Sequence, residues 1–300
     1  MKLVRFSTNG QTPRLGVLQG DRIADLQASL AVSLTRRGVS RASEIAAALV
    51  PNSTRAFLEG GPVAEEAVAG IKEWVTVPAS SARLHAPITD PGKFICIGLN
   101  YRDHAEETNN PIPKEPPIFG KWAPSIVGPG DPILRPRGSK QLDWEVELGV
   151  VIGRTARFVS KEQALDYVWG YTIINDASAR DFQFLTTQWM AGKIFETAAP
   201  VGPYIADRAE IADPHSLELK TFVNGKQMQS GNTKTFIFDV RYLVSYLSGL
   251  MTLSPGDLIA TGTPPGVGLG MKPPVFMNPG DTCRVEITGL GSLENPIKDA

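Results

Sequence analysis

Two carboxylates two residues apart, Glu145 and Glu147, stand inside an otherwise apolar run, Leu142-Asp143-Trp144-Glu145-Val146-Glu147-Leu148-Gly149-Val150-Val151-Ile152-Gly153. Side chains at i and i+2 of a strand share a face about 6.6–6.8 Å apart along the chain, so both acids can lean toward one ion. The unbroken Val150-Val151-Ile152 implies burial on both faces, and buried acids need a compensating cation. A second run, Gly170-Tyr171-Thr172-Ile173-Ile174-Asn175-Asp176, is β-branched and aromatic and ends in an acid, which makes Asp176 the natural third ligand. Three carboxylates form an all-oxygen set that suits a hard cation, Mg2+, Mn2+ or Ca2+, better than zinc. The competing reading is an acidic edge strand facing solvent.

Other residues could do chemistry beside such an ion. His104 follows the apolar strand Phe94 to Ile97, on a short helix that Asn100 could cap, and Glu107 lies one turn further on. A carboxylate at that spacing can orient an imidazole and raise its basicity, as a general base requires, although a surface histidine beside acids is the plainer reading. Lys193, in Trp189-Met190-Ala191-Gly192-Lys193-Ile194-Phe195, has an apolar neighbourhood in which an ammonium is costly unless it faces carboxylates or a substrate anion. A snorkelling surface lysine is the alternative. The segment Gly262 to Gly270 lacks the Gly-Lys-Ser/Thr end of a phosphate-binding loop, and Met271 stands where a dinucleotide fingerprint needs its third glycine.

The elements that must carry these residues fall into two parts. Residues 1–88 read as a small N-terminal α/β domain: strands Lys2 to Phe6, Arg14 to Leu18 and Ile23 to Leu26, then helical patterns near Arg41 to Val50 and Val63 to Trp74. The stretch Val77 to Ile88 reads as a linker on the surface. Residues 89–300 are rich in short strands and Gly or Pro turns, with helices expected at 100–107, 161–167 and 240–248. Asn224-Gly225 marks a two-residue hairpin. The proline-rich stretch 108–140, without periodicity, reads as a loop that covers the site. The fold class that follows is α+β and β-dominated, a sandwich or roll.

Composition narrows the partners. Thirty basic and 31 acidic side chains among 300 residues leave a net charge of -1, so no basic field exists to hold nucleic acid or an anionic membrane. Cys96 and Cys283 sit far apart in apolar settings, which suits buried free thiols in a reducing cytoplasm. No stretch of about 18 apolar residues could span a bilayer, and the N-terminus lacks the apolar core of a signal peptide.

Four segments, in this order and spacing, resemble the fumarylacetoacetate hydrolase family: Gly98-Leu99-Asn100-Tyr101-Arg102-Asp103-His104; Asp143-Trp144-Glu145-Val146-Glu147-Leu148; Asn175-Asp176-Ala177-Ser178-Ala179-Arg180-Asp181; and Thr261-Gly262-Thr263-Pro264-Pro265-Gly266-Val267-Gly268. The resemblance covers about residues 90–298. It implies a mixed β roll, a homodimer, a divalent metal (Mg2+ or Mn2+, with Ca2+ also suited) and a 2-oxo acid substrate. It implies Glu145, Glu147 and Asp176 as metal ligands, His104 and Glu107 as a water-activating dyad, and Lys193 as the active-site lysine. Arg180, Gln183 and Thr263 fall where relatives contact substrate, and Gly262 and Gly266 let the backbone approach it. The chain departs from the common family pattern at Ile194 and Glu196, beside Lys193. The activity implied is hydrolysis of a carbon-carbon bond in a 2,4-dioxo acid. Decarboxylation of oxaloacetate or isomerisation of an unsaturated 2-oxo diacid would use the same site, and a noncatalytic metal-stabilised dimer is the reading from another class.

Overall fold

Strand pairing in the computed structural model, which describes residues 1–107 and 110–300, puts the acidic runs at the middle of a twelve-stranded sheet. Val146–Ile152 runs antiparallel to Val168–Asn175 on one side and to Leu258–Ala260 on the other, and all of its residues are buried. Phe94–Ile97 lies parallel to Leu258–Ala260 and pairs on its far edge with Ile118–Gly120. In the other direction Val168–Asn175 pairs with Ala199–Asp207, whose next neighbour is Lys2–Ser7. Arg14–Gln19, Arg22–Asp25 and Thr76–Pro78 follow, so residues from the N-terminal segment extend the sheet that carries the acids.

The sheet is covered on both faces. Helices Leu26–Arg36, Ala42–Leu49, Thr54–Glu59 and Gly61–Ala69 place Leu30, Phe57 and Val68 in one core with Cys96, Val151 and Ile174. On the opposite face Leu148, Val150 and Ile173 meet Leu219, Val285 and Leu293 of a five-stranded sheet, together with Leu243 and Leu247 of helix Val240–Leu250. Each such side chain contributes roughly 1.5–3 kcal/mol through burial. The β-dominated α+β class is as expected, with open mixed sheets. No helix among the described residues is long and apolar enough to cross a membrane.

Several local expectations change. Leu26–Arg36 is a helix that was not foreseen: Leu26, Leu30 and Leu34 bury at i, i+4 spacing, and the Asp25 carboxylate accepts from Ala28 N at 3.0 Å as the N-cap. The 77–88 stretch is no free linker, because Thr76–Pro78 and Arg83–His85 pair with Arg22–Asp25 and Lys2–Ser7. In the 108–140 stretch, residues 108 and 109 lie outside the described residues, while Ile118–Gly120, Ile126–Val127 and Ile133–Arg135 each pair into a sheet. That half is therefore fixed scaffold. The first expected helix of this part is Arg102–Glu107, and the second shrinks to a 3-10 turn at Ala164–Tyr167. The Asn224-Gly225 turn joins Glu218–Val223 to Lys226–Asn232, with φ of 50° and 79° at its two residues.

Candidate metal centre and active site

Glu145 and Asp176 meet because the central ladder runs on past its regular end. Val146 pairs with Asn175, and one residue further Asp176 N donates to Glu145 O at 2.9 Å. The strand expected to run unbroken from Leu142 stops at Trp144 and Glu145, since side chains replace ladder partners there. Asp143 Oδ1 accepts from Trp144 N at 2.8 Å, and Asn175 Oδ1 accepts from Glu145 N at 3.0 Å. Glu147 alternates with Val146 and Leu148 of the five-stranded-sheet face, so it points to the same side as Val151. One ligand oxygen from each of Glu145, Glu147 and Asp176 lies within 4.8 Å of the others, and all three are buried.

Buried cations hold this acid group. Lys193 Nζ lies 2.7 Å from Glu145 Oε2 and 2.9 Å from Asp176 Oδ2. Arg180 reaches Glu145 Oε1 at 2.6 Å through Nη2 and Asp143 Oδ2 at 2.8 Å through Nε, and its Nη1 donates to Gln183 Oε1 at 2.9 Å. Burial alone would raise the Glu145 pKa, but Lys193 and then Arg180 outweigh it and hold the carboxyl below its usual range. Glu147 goes the other way: burial, then the charges of Asp176 and Glu145, push its pKa well above that range. A site in which one carboxylate is stabilised and its neighbour is forced toward protonation lacks positive charge. A divalent cation fits that deficit, the oxygen donor set and the close approach of the three acids.

His104 sits buried on Arg102–Glu107, its Nδ1 3.4 Å from Glu107 Oε2. Glu107 is fixed in turn by Gly266 N, which donates to its two oxygens at 3.0 and 3.1 Å. The glycine-rich segment is thus strapped down by acids of the site, since Gly262 N donates to Glu147 Oε2 at 2.8 Å and Gly268 N to Asp143 Oδ1 at 2.7 Å. Glycine is required at two of these positions. Gly262 has φ +96° and a Cβ there would come within 2.7 Å of Asn100 Cβ; Gly266 has φ +100° and would place one 2.3 Å from Met228 O. Both glycines serve packing here as much as any approach to a ligand.

A cavity of about 300 Å3 is lined by Glu145, Glu147, Lys193, Arg180, Gln183, Thr263 and His104, so seven of the expected side chains share one space. Asp176 stands behind Lys193, and Glu107 behind His104. A larger cavity of about 850 Å3, against Trp74 and Trp169, contains none of them. Ile194 and Glu196 do not displace Lys193: Glu196 is exposed, while Lys193 keeps both carboxylate contacts.

Three further residues build the site. Lys121 is fully buried, with Nζ 2.7 Å from Asp176 Oδ1 and hydrogen-bonded to Lys193 O at 2.6 Å and Ala198 O at 2.8 Å. The Asp176 contact is an ion pair, and Oδ1 accepts no hydrogen bond. Asp143 orients Arg180. Gln229, on the Asn224-Gly225 hairpin, accepts from Val146 N at 3.0 Å and donates to Thr263 Oγ1 at 2.8 Å, fixing the glycine-rich segment to the strand of Glu147. The setting of Lys121 in Phe119-Gly120-Lys121-Trp122 is the same signal as that of Lys193, a lysine among aromatic residues.

Comparison with known proteins agrees with this architecture. The pattern described as fumarylacetoacetate (FAA) hydrolase C-terminal matches residues 93–298, and one described as Rv2993c-like, N-terminal matches residues 1–87. The mitochondrial oxaloacetate tautomerase fahd2 of Xenopus laevis is 43% identical over 307 aligned residues, covering 99% of this chain and 90% of that protein. Among solved structures, fumarylacetoacetate hydrolase from psychrophilic Exiguobacterium antarcticum superposes with a TM-score of 0.79 at 36% identity, covering 100% of both chains. Maleylpyruvate hydrolase from Sphingobium sp. SYK-6, in complex with manganese (II) ion and pyruvate, does so with a TM-score of 0.73 at 31% identity and the same coverage. With its sheets, its buried acids and these similarities in register, the chain belongs to the fumarylacetoacetate hydrolase family.

Proposed function

We propose that this protein is a divalent-metal-dependent hydrolase that cleaves a carbon-carbon bond in a 2,4-dioxo acid of the acylpyruvate or fumarylpyruvate type, releasing pyruvate and a carboxylic acid. The observation that carries this reading is that His104, paired with Glu107 behind it, lines the same small cavity as Glu145 and Glu147 of the three-acid cluster. Glu145, Glu147 and Asp176 would hold Mg2+ or Mn2+, which when bound supplies Lewis acidity toward a 2-oxo carboxylate. With Nδ1–H directed at Glu107, Nε2 of His104 is the basic nitrogen, suited to take a proton from water attacking the distal carbonyl. The hydroxyl of that water joins the acyl carbon, and the proton ends on the methyl carbon of pyruvate. Lys193, a buried ammonium, faces the negative charge that develops on the departing three-carbon fragment.

The test is pyruvate release across a panel of acylpyruvates, with and without chelator. His104→Ala lowers kcat by about 100-fold or more while Mn2+ still binds; turnover near the parent value in that variant removes the dyad from the mechanism. A second reading, tautomerisation or decarboxylation of oxaloacetate, is favoured by the 43% identity to an oxaloacetate tautomerase. Neither reaction needs an attacking water. Loss of acylpyruvate cleavage in His104→Ala with oxaloacetate turnover intact would assign the two chemistries to different parts of the site.

A further inference from the structure

The cavity lining is of two kinds. Its charged floor is formed by Glu145, Glu147, Arg180 and Lys193, with polar His104, Asn110, Gln183 and Thr263 beside it, whereas Ile97, Leu99, Phe119, Phe184, Trp189 and Leu269 are apolar; Lys193 Nζ lies 5.2 Å from the Phe119 ring centroid, where the two meet. The aromatic wall is built in: Trp189 packs edge to face on Phe119, centroids 5.9 Å apart at 70°. Its ring also lies so close to Gly98 that a Cβ there would come within 2.4 Å of Trp189 Cζ3. Any larger residue at position 98 would evict the indole.

Charge points the same way. Four buried carboxylates (Asp143, Glu145, Glu147, Asp176) face three buried cations (Lys121, Arg180, Lys193), an excess of one negative charge. A divalent ion would bring this fully buried set to one positive charge, matched by a single substrate carboxylate, while Glu107, half-buried behind His104, adds a negative charge that a second substrate carboxylate would meet. Arg180 and Lys193 are the Lys or Arg side chains lining the cavity among the described residues, and each already faces two carboxylates. A second carboxylate on the substrate would be desolvated against hydrocarbon with no cation assigned to it.

Building on the function proposed above, we infer that the distal part of this cavity is a specificity pocket for an apolar group: the substrate is a 2-oxo acid with one carboxylate and a branched alkyl or aryl end. Trp189, Phe119 and Leu269 determine that preference. The choice keeps the acylpyruvate type of the proposed function, drops the dicarboxylic fumarylpyruvate type, and separates this chain from the dicarboxylate named in its tautomerase relative.

The test compares two unreactive acids of equal shape, neither of which has the 4-carbonyl needed for cleavage. In 5-methyl-2-oxohexanoate an isopropyl group replaces the distal carboxylate of 2-oxoglutarate. Both are titrated calorimetrically into the full-length Mn2+-loaded protein, with pyruvate as the probe of the floor alone. The branched acid binds at least 10-fold more tightly than 2-oxoglutarate, on the order of one 1.4 kcal/mol step, and Trp189→Ala weakens the branched acid more than it weakens pyruvate. Equal or tighter binding of 2-oxoglutarate overturns the inference and leaves the 2-oxo acid site standing. If none of the three binds, pyruvate included, both the site reading and the inference fail.

Discussion

Replacing Lys121 with methionine should be among the most damaging changes in the sheet, although no part of the side chain reaches solvent. Its ammonium neutralises Asp176 Oδ1 at 2.7 Å and donates to two carbonyl oxygens of the segment carrying Lys193. Methionine keeps the volume and removes the charge. Breaking a buried ion pair by removing one partner costs about 3–5 kcal/mol, and Lys193 still faces only the other oxygen, Oδ2. With an unfolding entropy of about 2.1 cal/mol/K per residue, a 300-residue chain loses roughly 5–8 °C in Tm for that change. The measurement is thermal unfolding in excess EDTA, so that metal linkage does not mask the loss. The variant Lys121→Met/Asp176→Asn removes both charges and should recover about 1–3 kcal/mol relative to additivity. A Tm for Lys121→Met within about 1 °C of the parent would refute the claim that this ion pair organises the centre.

Other outcomes follow from the same geometry. Since burial and the charges of Asp176 and Glu145 raise the Glu147 pKa above its ordinary 4.5, Mn2+ must displace a proton there; its affinity should climb by up to about tenfold per pH unit in a window that opens above that value. With chelator present the sign reverses for stability, which falls as pH rises through the raised pKa, and a flat affinity profile would remove Glu147 from the ligand set. Gly266→Ala, at φ +100° with Met228 O in the way, should cost on the order of 1–3 kcal/mol and slow turnover by releasing Glu107; an unchanged Tm speaks against the strapping. Cys96 and Cys283 are buried, with burial pushing the Cys283 thiol up to about 12, so a thiol reagent at pH 8 should label the native protein negligibly and both cysteines after unfolding. Sedimentation should show the dimer implied by the family resemblance; a monomer at micromolar concentration counts against it.

The acids of the centre were legible because period-2 alternation and apolar flanks are local signals. Glu145, Glu147 and Asp176 could be paired on paper, since a strand fixes its own faces, and the Asn224-Gly225 turn declared itself through two residues that tolerate positive φ. Long-range partners were not. Lys121 lies in a proline-rich stretch that reads as loop, and its burial depends on carbonyls 72 and 77 residues away. The break at Trp144 was hidden for the same reason, because a side chain from Asn175 supplies what a ladder would have supplied. Leu26, Leu30 and Leu34 had the right spacing for a helix but stood directly after a strand pattern. Gln229 shows the limit: a polar residue on a hairpin gives no hint that it spans two sheets.

The placement of Lys2–Ser7 against Ala199–Asp207 has a practical corollary for anyone trimming the gene. A shortened product starting at residue 89 would uncover the outer rim of Ala199–Asp207, one strand away from the strand that leads to Asp176, and would strip the helical cover from Cys96 and Ile174. Bare backbone donors beside freshly wetted hydrocarbon invite self-association, so such a product should clump before its chemistry can be assayed.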